Sequence, residues 1–449
     1  MSSNSLWEMT AMRSARYVEQ IKKRRVVPTP DDIANLDALG GTWNDLGLDP
    51  EEVIEQLDTF GSPATVAATG PRYFGFITGG SLHASMAANW LAAVWGQNGS
   101  MSVQSPVATK LEEFASVWLR QIFGFPSDCG VAFVTGGTMA NFSALAAARH
   151  ALLARAGWDV EERGLFGAPD IRVVVGSEVH VSVLKALSML GLGRARVKSV
   201  PADDQGRIRV DALPELDQRT VVCIQAGNVN TGSFDAAREV CARARAAGAW
   251  VHVDGALGLW AASSPERAYL MEGMAEADSW ATDCHKWLNV PYDSGLAFVR
   301  NATDLLAAMT LSAPYLQMSR EREPCLYTPE TSRRARGIEV WAALRSLGRI
   351  GLAEMVERHC RFASRFAEGL QRAGFEVLND VVLNQVLVSF GDTEMTNRVI
   401  RDLQSEGTCW CGGTVWHGRT AMRISVCCWR TTEEDVERSL DAMLRLARQ

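Results

Sequence analysis

The sequence lacks the features that would place the protein in a membrane or on nucleic acid. No run of about 18 uninterrupted apolar residues occurs, so no transmembrane helix is predicted. Basic residues are not in excess, because 45 lysines and arginines face 52 acidic residues and give a net charge of −7. Such a chain offers no basic surface for nucleic acid or an anionic membrane. The N-terminal stretch also lacks the apolar core of a signal peptide, so we expect a soluble cytoplasmic protein.

A disulfide framework and a metal site are not indicated either. The ten cysteines are scattered along the chain, which is typical of reduced thiols in a cytosolic protein. Only Cys409 with Cys411 and Cys427 with Cys428 are close in sequence, and His417 is the one nearby histidine. A metal site needs a complete ligand set, so no metal is predicted. We expect these cysteines to be small buried residues of a C-terminal sheet.

The chain has 449 residues, 47% of them hydrophobic, which suffices for a large core and more than one domain. Between Val131 and Phe298, predicted strands and helices alternate, a pattern typical of a mainly parallel sheet covered on both faces. We predict the α/β fold class in three parts. Residues 1–69 form a polar helical arm, residues 70–305 a large α/β domain, and residues 306–449 a loop followed by a small α+β domain.

One helix of the large domain can be predicted in more detail. The segment SPVATKLEEFASVWLRQIFGFP has apolar residues at helical spacing. We therefore predict an amphipathic helix whose buried face consists of Leu111, Phe114, Ala115, Trp118 and Leu119.

The most informative stretch is ADSWATDCHKWLNVPYDSG, which places Lys286 between a histidine and a tryptophan. Such a lysine can form a Schiff base when burial or a nearby cation lowers its pKa, although most lysines are plain surface residues. Upstream, AWVHVDGALG predicts a buried strand that ends at Asp254, followed by small residues that include Ala256. Ligands bind beyond the carboxyl ends of such strands. A carboxylate there can keep a pyridinium nitrogen protonated.

These two motifs, HVDGA and DCHKWLNVPYDSG, resemble the group II amino-acid decarboxylases, which depend on pyridoxal 5′-phosphate. The family includes aromatic-amino-acid, glutamate and histidine decarboxylases, and the resemblance extends over roughly residues 70–440. It implies the fold type I architecture and the decarboxylation of an L-amino acid to the amine and carbon dioxide. It further implies a homodimer with shared active sites, in which the N-terminal arm packs on the partner.

The resemblance also assigns roles to individual residues. Lys286 would carry the cofactor, and Asp254 would keep its ring nitrogen protonated. His180, which follows a predicted strand at Ile171–Val175, would stack on the ring, although a structural histidine is the usual alternative. Ala256 belongs to the cofactor site because it helps to keep this surface open.

The cofactor's phosphate is expected at a glycine-rich turn. The predicted strand Val131–Val134 meets Gly-Gly-Thr and then a long alanine-rich helix. Glycines let backbone amides approach an anion, and a helix N-terminus adds free N–H groups and a positive dipole end. With the resemblance, this places the phosphate at Gly137, Thr138 and His285.

Two residues are predicted to contact the substrate. Asn98 ends the segment Gly70–Asn98, whose glycines and aromatics are typical of a loop and helix that line a cleft. Arg423, in AMRISV, could bind a substrate carboxylate through a bidentate contact, or could be a solvated strand residue.

A polar, proline-containing stretch from Tyr315 to Arg336 is too long for a simple connection. The family has a mobile loop here that carries a tyrosine linked to protonation of the carbanion after carbon dioxide leaves. Tyr327 is the better candidate for this tyrosine and Tyr315 the weaker one. An ordinary surface tyrosine is the alternative.

The reaction and the substrate stay open at this level. The same scaffold can support carbon–carbon lyase or aldolase chemistry, β-decarboxylation, or aldehyde-forming oxidative decarboxylation. A non-catalytic regulator that binds the cofactor is a further alternative, against which the joint presence of Lys286, Asp254 and His180 counts. A slight preference for an aromatic or apolar L-amino acid comes from four aromatic residues near the expected cleft, which could equally be core. These are Tyr73, Phe74, Phe76 and Trp95.

Overall fold

The computed structural model describes residues 3–41, 45–310 and 322–449. Its β-strands are β1 (Gly130–Val134), β2 (Arg172–Gly176), β3 (Lys198–Val200), β4 (Thr220–Gln225), β5 (Trp250–Asp254), β6 (Ser279–Asp283), β7 (Gly295–Val299), β8 (Glu376–Val377), β9 (Gln385–Ser389), β10 (Gly412–Trp416) and β11 (Arg419–Ser425). Its α-helices are α1 (Ser3–Gln20), α2 (Pro30–Ala34), α3 (Pro50–Gln56), α4 (His83–Val94), α5 (Pro106–Phe123), α6 (Gly137–Arg155), α7 (Val160–Arg163), α8 (Val181–Met189), α9 (Ala237–Ala247), α10 (Ala302–Met309), α11 (Arg336–Arg372), α12 (Thr393–Glu406) and α13 (Glu433–Ala447).

The larger sheet has the strand order β1-β7-β6-β5-β4-β2-β3. Strands β3, β2, β4, β5 and β6 run parallel to their neighbours, and β7 runs antiparallel between β6 and β1. Strand β4 is buried along its whole length, because its alternate side chains enter apolar clusters on opposite faces of the sheet. Val222 and Ile224 pack with α5, α9 and α11, whereas Val221 and Cys223 pack with α6, α8 and α10. The predicted α/β class with a mainly parallel sheet is confirmed.

The smaller sheet is antiparallel and has the order β10-β11-β9-β8. The C-terminal half of α11 covers it together with α12 and α13 in one apolar cluster, of which Phe366 is a fully buried member. Helix α13 begins with a capping box, because the side chains of Thr432 and Asp435 each bond the other's backbone N–H. The predicted small α+β unit is thus present. The exact domain boundaries stay a prediction.

Helix α5 forms where it was predicted, but the buried face was partly wrong. Ala115 and Leu119 are buried, whereas Phe114 is 44% exposed. The rest of the buried face consists of small and polar residues together with one terminal phenylalanine, namely Ala108, Thr109, Glu112, Ser116 and Phe123. A prediction from apolar spacing places every carboxylate on the exposed face of a helix. It therefore gave a face that is turned around the helix axis relative to the observed one.

Glu112 is buried because it forms an ion pair inside the protein. Its Oε1 lies 2.5 Å from Arg333 Nη2, and its Oε2 lies 3.8 Å from Arg322 Nη2. Arg333 also donates a hydrogen bond from Nη1 to the carbonyl oxygen of Phe133, at the free edge of β1. The pair therefore connects α5 to the edge of the large sheet.

Replacing Glu112 with glutamine is expected to lower the free energy of unfolding by about 3–5 kcal/mol, because two buried guanidinium groups lose their counter-charge. The matched control is Glu113→Gln on the same helix, where the carboxylate pairs with the exposed Lys110. That surface pair should contribute no more than about 1 kcal/mol. Denaturant unfolding of both variants measures the difference, and equal effects would contradict a structural role for the buried pair.

In the described parts of the chain, no helix combines the length and the apolar character that a membrane crossing requires.

Candidate functional site

A cavity opens beyond the carboxyl ends of β4 and β5, which is where ligands bind in open α/β sheets. Its lining comes from the segment before α4, the start of α8, the ends of β4 and β5, and the turn after β6. The lining residues are Ile77, His180, Gln225, Gly227, Val229, Asp254, Ala256, Leu257 and Lys286. Four of the predicted site residues, Lys286, Asp254, His180 and Ala256, thus meet at one place.

Lys286 follows β6 and points into the cavity with a largely buried side chain. Its Nζ lies 2.9 Å from Oδ2 of Asp283, the last residue of β6. Burial lowers the pKa of Lys286, but the Asp283 carboxylate outweighs burial, so this pKa lies above its usual value. The sequence favoured a lowered lysine pKa. That expectation is wrong, because the carboxylate of Asp283, three residues earlier, stabilises the charged form of the amine.

Asp254 ends β5 and is 5% exposed. Its Oδ1 accepts a hydrogen bond from the backbone N–H of Ala256 at 3.2 Å. Its Oδ2 accepts one from Asn141 Nδ2 at 3.3 Å. These donors fix the orientation of the carboxylate. The carboxylate is therefore held in place to accept a hydrogen bond from a ligand in the cavity.

Asn141, on α6, connects Asp254 to His180. Its Nδ2 also donates to Ser182 Oγ at 3.1 Å, and Ser182 Oγ lies 2.7 Å from His180 Nδ1. His180 Nδ1 further accepts the backbone N–H of Ser182 at 3.3 Å, so the proton of the neutral ring lies on Nε2. Burial lowers the pKa of His180, which keeps the ring neutral near pH 7. On its other side, Asn141 Oδ1 accepts from His252 Nε2 at 2.8 Å.

Replacing Asn141 with alanine is expected to lower the free energy of unfolding by about 1–3 kcal/mol, because it leaves the buried Nε2–H of His252 without an acceptor. The change also releases Asp254 and His180, so activity should fall in the folded variant. Denaturant unfolding and turnover measure the two effects. Asn397→Ala, at an exposed position of α12, is the control and should change neither. Unchanged stability and turnover in Asn141→Ala would contradict this role.

The predicted phosphate site lies beside this network. Helix α6 begins at Gly137, and a Cβ at that residue would lie 2.9 Å from Asp283 Oδ2. A Cβ at Gly136 would lie 2.9 Å from His285 Cε1. The two glycines therefore leave the first amides of α6, including that of Thr138, accessible from the site, as an anion requires. Lysine, carboxylate and helix N-terminus together fit the aldehyde, ring nitrogen and phosphate of pyridoxal 5′-phosphate.

His285 is fixed by three neighbours. Its ring stacks on Tyr292 with centroids 4.4 Å apart, and its Nδ1 accepts the backbone N–H of Ser294 at 3.1 Å. Its Nε2 lies 3.4 Å from Asp283 Oδ1. Burial lowers the pKa of His285, so the ring is neutral near pH 7. The neutral ring therefore lies beside Gly136, immediately before the start of α6.

Arg423 lies at the rim of the cavity. On β11, it donates from Nη1 to the carbonyl oxygen of Val229, a lining residue, at 3.2 Å. Burial lowers the pKa of its guanidinium group. Among the described residues, no carboxylate lies within ion-pair distance of Arg423. This guanidinium group therefore has no counter-charge among the described residues, and its binding of a substrate carboxylate stays a prediction.

The other predicted residues do not line the cavity. Asn98 Oδ1 accepts the backbone N–H of Arg333 at 3.0 Å. Tyr327 lies beneath the guanidinium group of Arg322, 3.8 Å from the ring centroid, and packs on the α6 side of the large sheet. Tyr315 falls outside the described residues. The role of Tyr327 at the site of a partner subunit and the contact of Asn98 with substrate stay predictions.

The four aromatic residues that were expected near the cleft do not line the cavity either. Phe74 is core and packs edge to face on Phe366, and Tyr73 and Phe76 both stack on Trp410. Trp95 is 48% exposed. They therefore give no support to an aromatic substrate. The apolar lining consists of Ile77, Val229 and Leu257.

Sequence reasoning missed several residues of the site. Asp283 carries a signal that could have revealed it, a carboxylate at a strand end three residues before Lys286. Asn141 carries a weaker one, because it lies one helical turn after the glycine-rich turn and thus faces the sheet. Gln225, Gly227 and Val229 lie at or just after the end of β4, and this position is their only signal.

The cysteines behave only partly as expected, because Cys427 packs in the apolar cluster of the larger sheet and not in that of the smaller one. All ten are buried and free. Cys409 and Cys411 lie in the apolar cluster of the smaller sheet, as predicted. Across residues 3–41, 45–310 and 322–449, no group of three or more histidine, cysteine or acidic side chains is placed to hold a metal ion.

Comparison with known proteins gives a family and a fold. The family described as "Pyridoxal-dependent decarboxylase conserved domain" matches residues 43–391, well over half of the chain. The aromatic-L-amino-acid decarboxylase of Bacillus atrophaeus is 24% identical over 443 residues, covering 94% of this chain and 90% of that protein. The L-2,4-diaminobutyrate decarboxylase of Rhizobium meliloti is 29% identical over 391 residues, covering 81% of this chain and 75% of that protein. The crystal structure of Oryza sativa TDC with PLP and tryptamine superimposes with a TM-score of 0.91 at 22% identity, covering 99% and 97%.

Proposed function

This chain belongs to the pyridoxal-dependent decarboxylase family, and we propose that it removes the α-carboxyl group of an L-amino acid, releasing carbon dioxide and the amine. The observation that carries the proposal is the meeting of Lys286, Asp254 and His180 in one cavity beside the start of α6. Nothing in the cavity specifically favours carbon–carbon cleavage, β-decarboxylation or aldehyde formation. The intact residue set also argues against a non-catalytic regulator.

The residues present suit pyridoxal 5′-phosphate. Lys286 Nζ would hold the cofactor covalently, and Asp254 would pair with its ring nitrogen. The start of α6 at Gly137 and Thr138, together with His285, would hold the phosphate, and Ala256 would border the ring. When bound, this cofactor supplies an electron sink for the pair of electrons that remains after a bond to the α-carbon breaks.

The protein's own contribution is orientation and proton placement. Asp254 is held by Asn141 and by the N–H of Ala256, so its carboxylate keeps a fixed orientation. His180 keeps its proton on Nε2, because Ser182 occupies Nδ1. The neutral ring can therefore cover one face of the ligand and donate a hydrogen bond without adding charge.

The choice of reaction depends on which bond to the α-carbon stands perpendicular to the cofactor ring. A cation that binds the substrate carboxylate sets this orientation. Arg423 is suited to it, because its guanidinium group is partly buried at the rim and has no carboxylate partner among the described residues. We assign substrate-carboxylate binding to Arg423.

Replacing Arg423 with methionine should lower kcat/KM by about 10- to 100-fold, the cost of losing a charge-assisted hydrogen bond of about 1.5–3 kcal/mol. Cofactor affinity should stay unchanged. The control is Arg419→Met on the same strand, where the arginine pairs with Glu376 at the surface. Steady-state kinetics and an absorbance titration separate the two effects. Loss of cofactor affinity in Arg423→Met would contradict the assignment.

An apolar or aromatic L-amino acid is the substrate class that we propose. The support is the apolar part of the cavity lining, Ile77, Val229 and Leu257, together with the similarity to aromatic-L-amino-acid decarboxylases. The experiment is a panel of the standard L-amino acids with the loaded protein, followed by mass spectrometry of the products. The proposal expects an amine from an apolar or aromatic substrate. An aldehyde as the main product, or an amine from acidic substrates alone, would contradict it.

We also propose a homodimer in the cytoplasm. Helix α4 and its end expose a cluster of large apolar side chains, Trp90, Leu91, Val94 and Trp95, each 44–64% exposed. Contiguous apolar surface of this kind marks interaction sites, and the arm of residues 1–69 is the part expected to pack on the partner. The free thiols fit a reducing compartment. Light scattering of the purified protein should give the mass of two chains, and a monomer would contradict the proposal.

A further inference from the structure

The two carboxylate oxygens of Asp283 have different surroundings inside the site. It ends β6, is 2% exposed, and holds Lys286 Nζ at 2.9 Å through Oδ2. Its Oδ1 is buried and accepts no hydrogen bond from the described residues, although His285 Nε2 lies 3.4 Å away. One carboxylate oxygen is thus available to a further partner inside the site.

The carboxylate also lies at the start of α6. The backbone N–H of Gly137 is close enough to contribute to the lowered pKa of Asp283, and a Cβ at Gly137 would lie 2.9 Å from Oδ2. Helix N-termini favour anions, and here the protein itself supplies one. The same amides are the ones assigned above to the cofactor's phosphate. Phosphate and Asp283 therefore compete for one positive helix end.

We propose that Asp283 is the resident anion of the cofactor-free site, that the cofactor's phosphate replaces it at the start of α6, and that the cofactor therefore binds with one more proton than the same aldehyde without a phosphate. This inference rests on the proposed function, because it requires pyridoxal 5′-phosphate at Lys286. It identifies Asp283 as a residue that controls cofactor loading.

The proton follows from the charges around Asp283. Burial raises its pKa, but Lys286 and His285 outweigh burial and hold the pKa below its usual value. The first turn of α6, from Gly137 to Asn141, contributes no titratable side chain. The titratable groups that face the Asp283–Lys286 pair from the segment around it, from the α8 side, from β5 and from the end of β11 are Cys284, His285, Tyr292, His180, Asp254 and Cys427.

Of these groups, Lys286 is the cation that balances Asp283, since burial lowers the pKa of both His180 and His285. Loading removes this balance. Nζ, an ammonium in the cofactor-free site, would form a double bond with the aldehyde carbon. Two of its hydrogens would leave with the aldehyde oxygen as water and its third proton would be released, while a phosphate dianion arrives beside the carboxylate. Two anions at one helix end disfavour full ionisation, so one of them binds a proton. Pyridoxal makes the same link without the second anion and binds with one proton fewer, so the affinity for pyridoxal 5′-phosphate relative to pyridoxal falls as the pH rises.

The test compares two ligands, pyridoxal 5′-phosphate and pyridoxal, on the full chain freed of cofactor. Both form the same link to Lys286, so the ratio of their association constants isolates the phosphate. Between about pH 7 and 8.5, above the second pKa of a phosphate ester near 6, this ratio should fall by up to about tenfold per pH unit. In Asp283→Asn the ratio of the two association constants should not change with pH. At the upper end of this pH range it should exceed the wild-type ratio. Absorbance titrations give both constants.

The matched control is Asp278→Asn. This carboxylate precedes β6 at the opposite end of the strand, where it accepts the backbone N–H of Val251, and its variant should keep the wild-type slope. A level ratio in the wild type, or an equal slope in Asp283→Asn, would overturn the inference. So would loss of affinity for pyridoxal 5′-phosphate alone in a folded Asp283→Asn.

Folding of Asp283→Asn is judged from its melting temperature, and Asp283→Ser replaces it if it does not fold. The wild-type slope needs no variant at all. Failure of the proposed function gives a different result, namely no saturable binding of pyridoxal 5′-phosphate by the wild type, or saturable binding without release of carbon dioxide. A level ratio with intact binding and turnover rejects only the role of Asp283.

Discussion

Lys286→Ala is expected to lower kcat by about 1,000-fold or more, because the variant lacks the amine that holds the cofactor and exchanges it for substrate. The variant leaves the buried Asp283 carboxylate without its cation and should lose stability for that reason, so turnover is measured on protein shown to be folded. The absorbance band of covalently held cofactor, between about 300 and 500 nm, should be absent.

The control for this prediction is Lys185→Ala, which removes an exposed lysine of α8 close in sequence to His180. It should keep both the absorbance band and the turnover. A folded Lys286→Ala protein with the wild-type band would show that another amine holds the cofactor. The assignment of Lys286 as the residue that holds the cofactor would then be wrong.

Asp254→Asn should lower kcat by about 100- to 1,000-fold, the usual effect of removing one preorganised electrostatic partner of the reacting group. The amide has the size of the carboxylate but cannot keep the ring nitrogen of the cofactor protonated. Cofactor should still bind, because Lys286 and the start of α6 are unchanged. Asp254→Glu restores the charge at a displaced position and should recover part of the activity.

Kinetics and the absorbance of bound cofactor separate the two possible roles of Asp254. Lower turnover with cofactor retained is the expected result. Loss of cofactor without an effect on the turnover of the loaded fraction would make Asp254 a binding residue only.

The fold could be predicted because its signals are local. Strands were expected at 131–134 and 171–175, and the structure has them at Gly130–Val134 and Arg172–Gly176. Buried parallel strands are continuous apolar runs, and the turns between them carry glycine, so their order along the chain is visible. The buried face of α5 could not be predicted in full. Glu112 is buried because it pairs with two arginines that lie more than two hundred residues away in the sequence.

The site was predictable where residues follow strand ends. Asp254 and Lys286 are of this kind, because strand ends in a parallel sheet meet at one edge. Asn141 was missed because its partners, Ser182 and His252, come from distant segments and only the fold brings them together. The pKa of Lys286 was misjudged for a similar reason, since it depends on the side-chain geometry of Asp283 rather than on burial alone.

Arg423 lies between these cases. The sequence suggested it on the chemistry of guanidinium groups, and the structure places it at the cavity rim beside Val229. Tyr327 is the opposite case, because its own chain packs it on the α6 side of the sheet. A residue that acts on a partner's site cannot be assigned from one chain, so its role depends on the proposed dimer.

The central claim is that the Lys286 cavity converts an L-amino acid to an amine and carbon dioxide. The direct measurement uses the best substrate of the panel, labelled at its carboxyl carbon, with loaded wild type and Lys286→Ala in parallel. The account predicts labelled carbon dioxide and amine in equal amounts from the wild type, and neither from Lys286→Ala. Product that retains the labelled carboxyl carbon, or equal release by the two proteins, would contradict it.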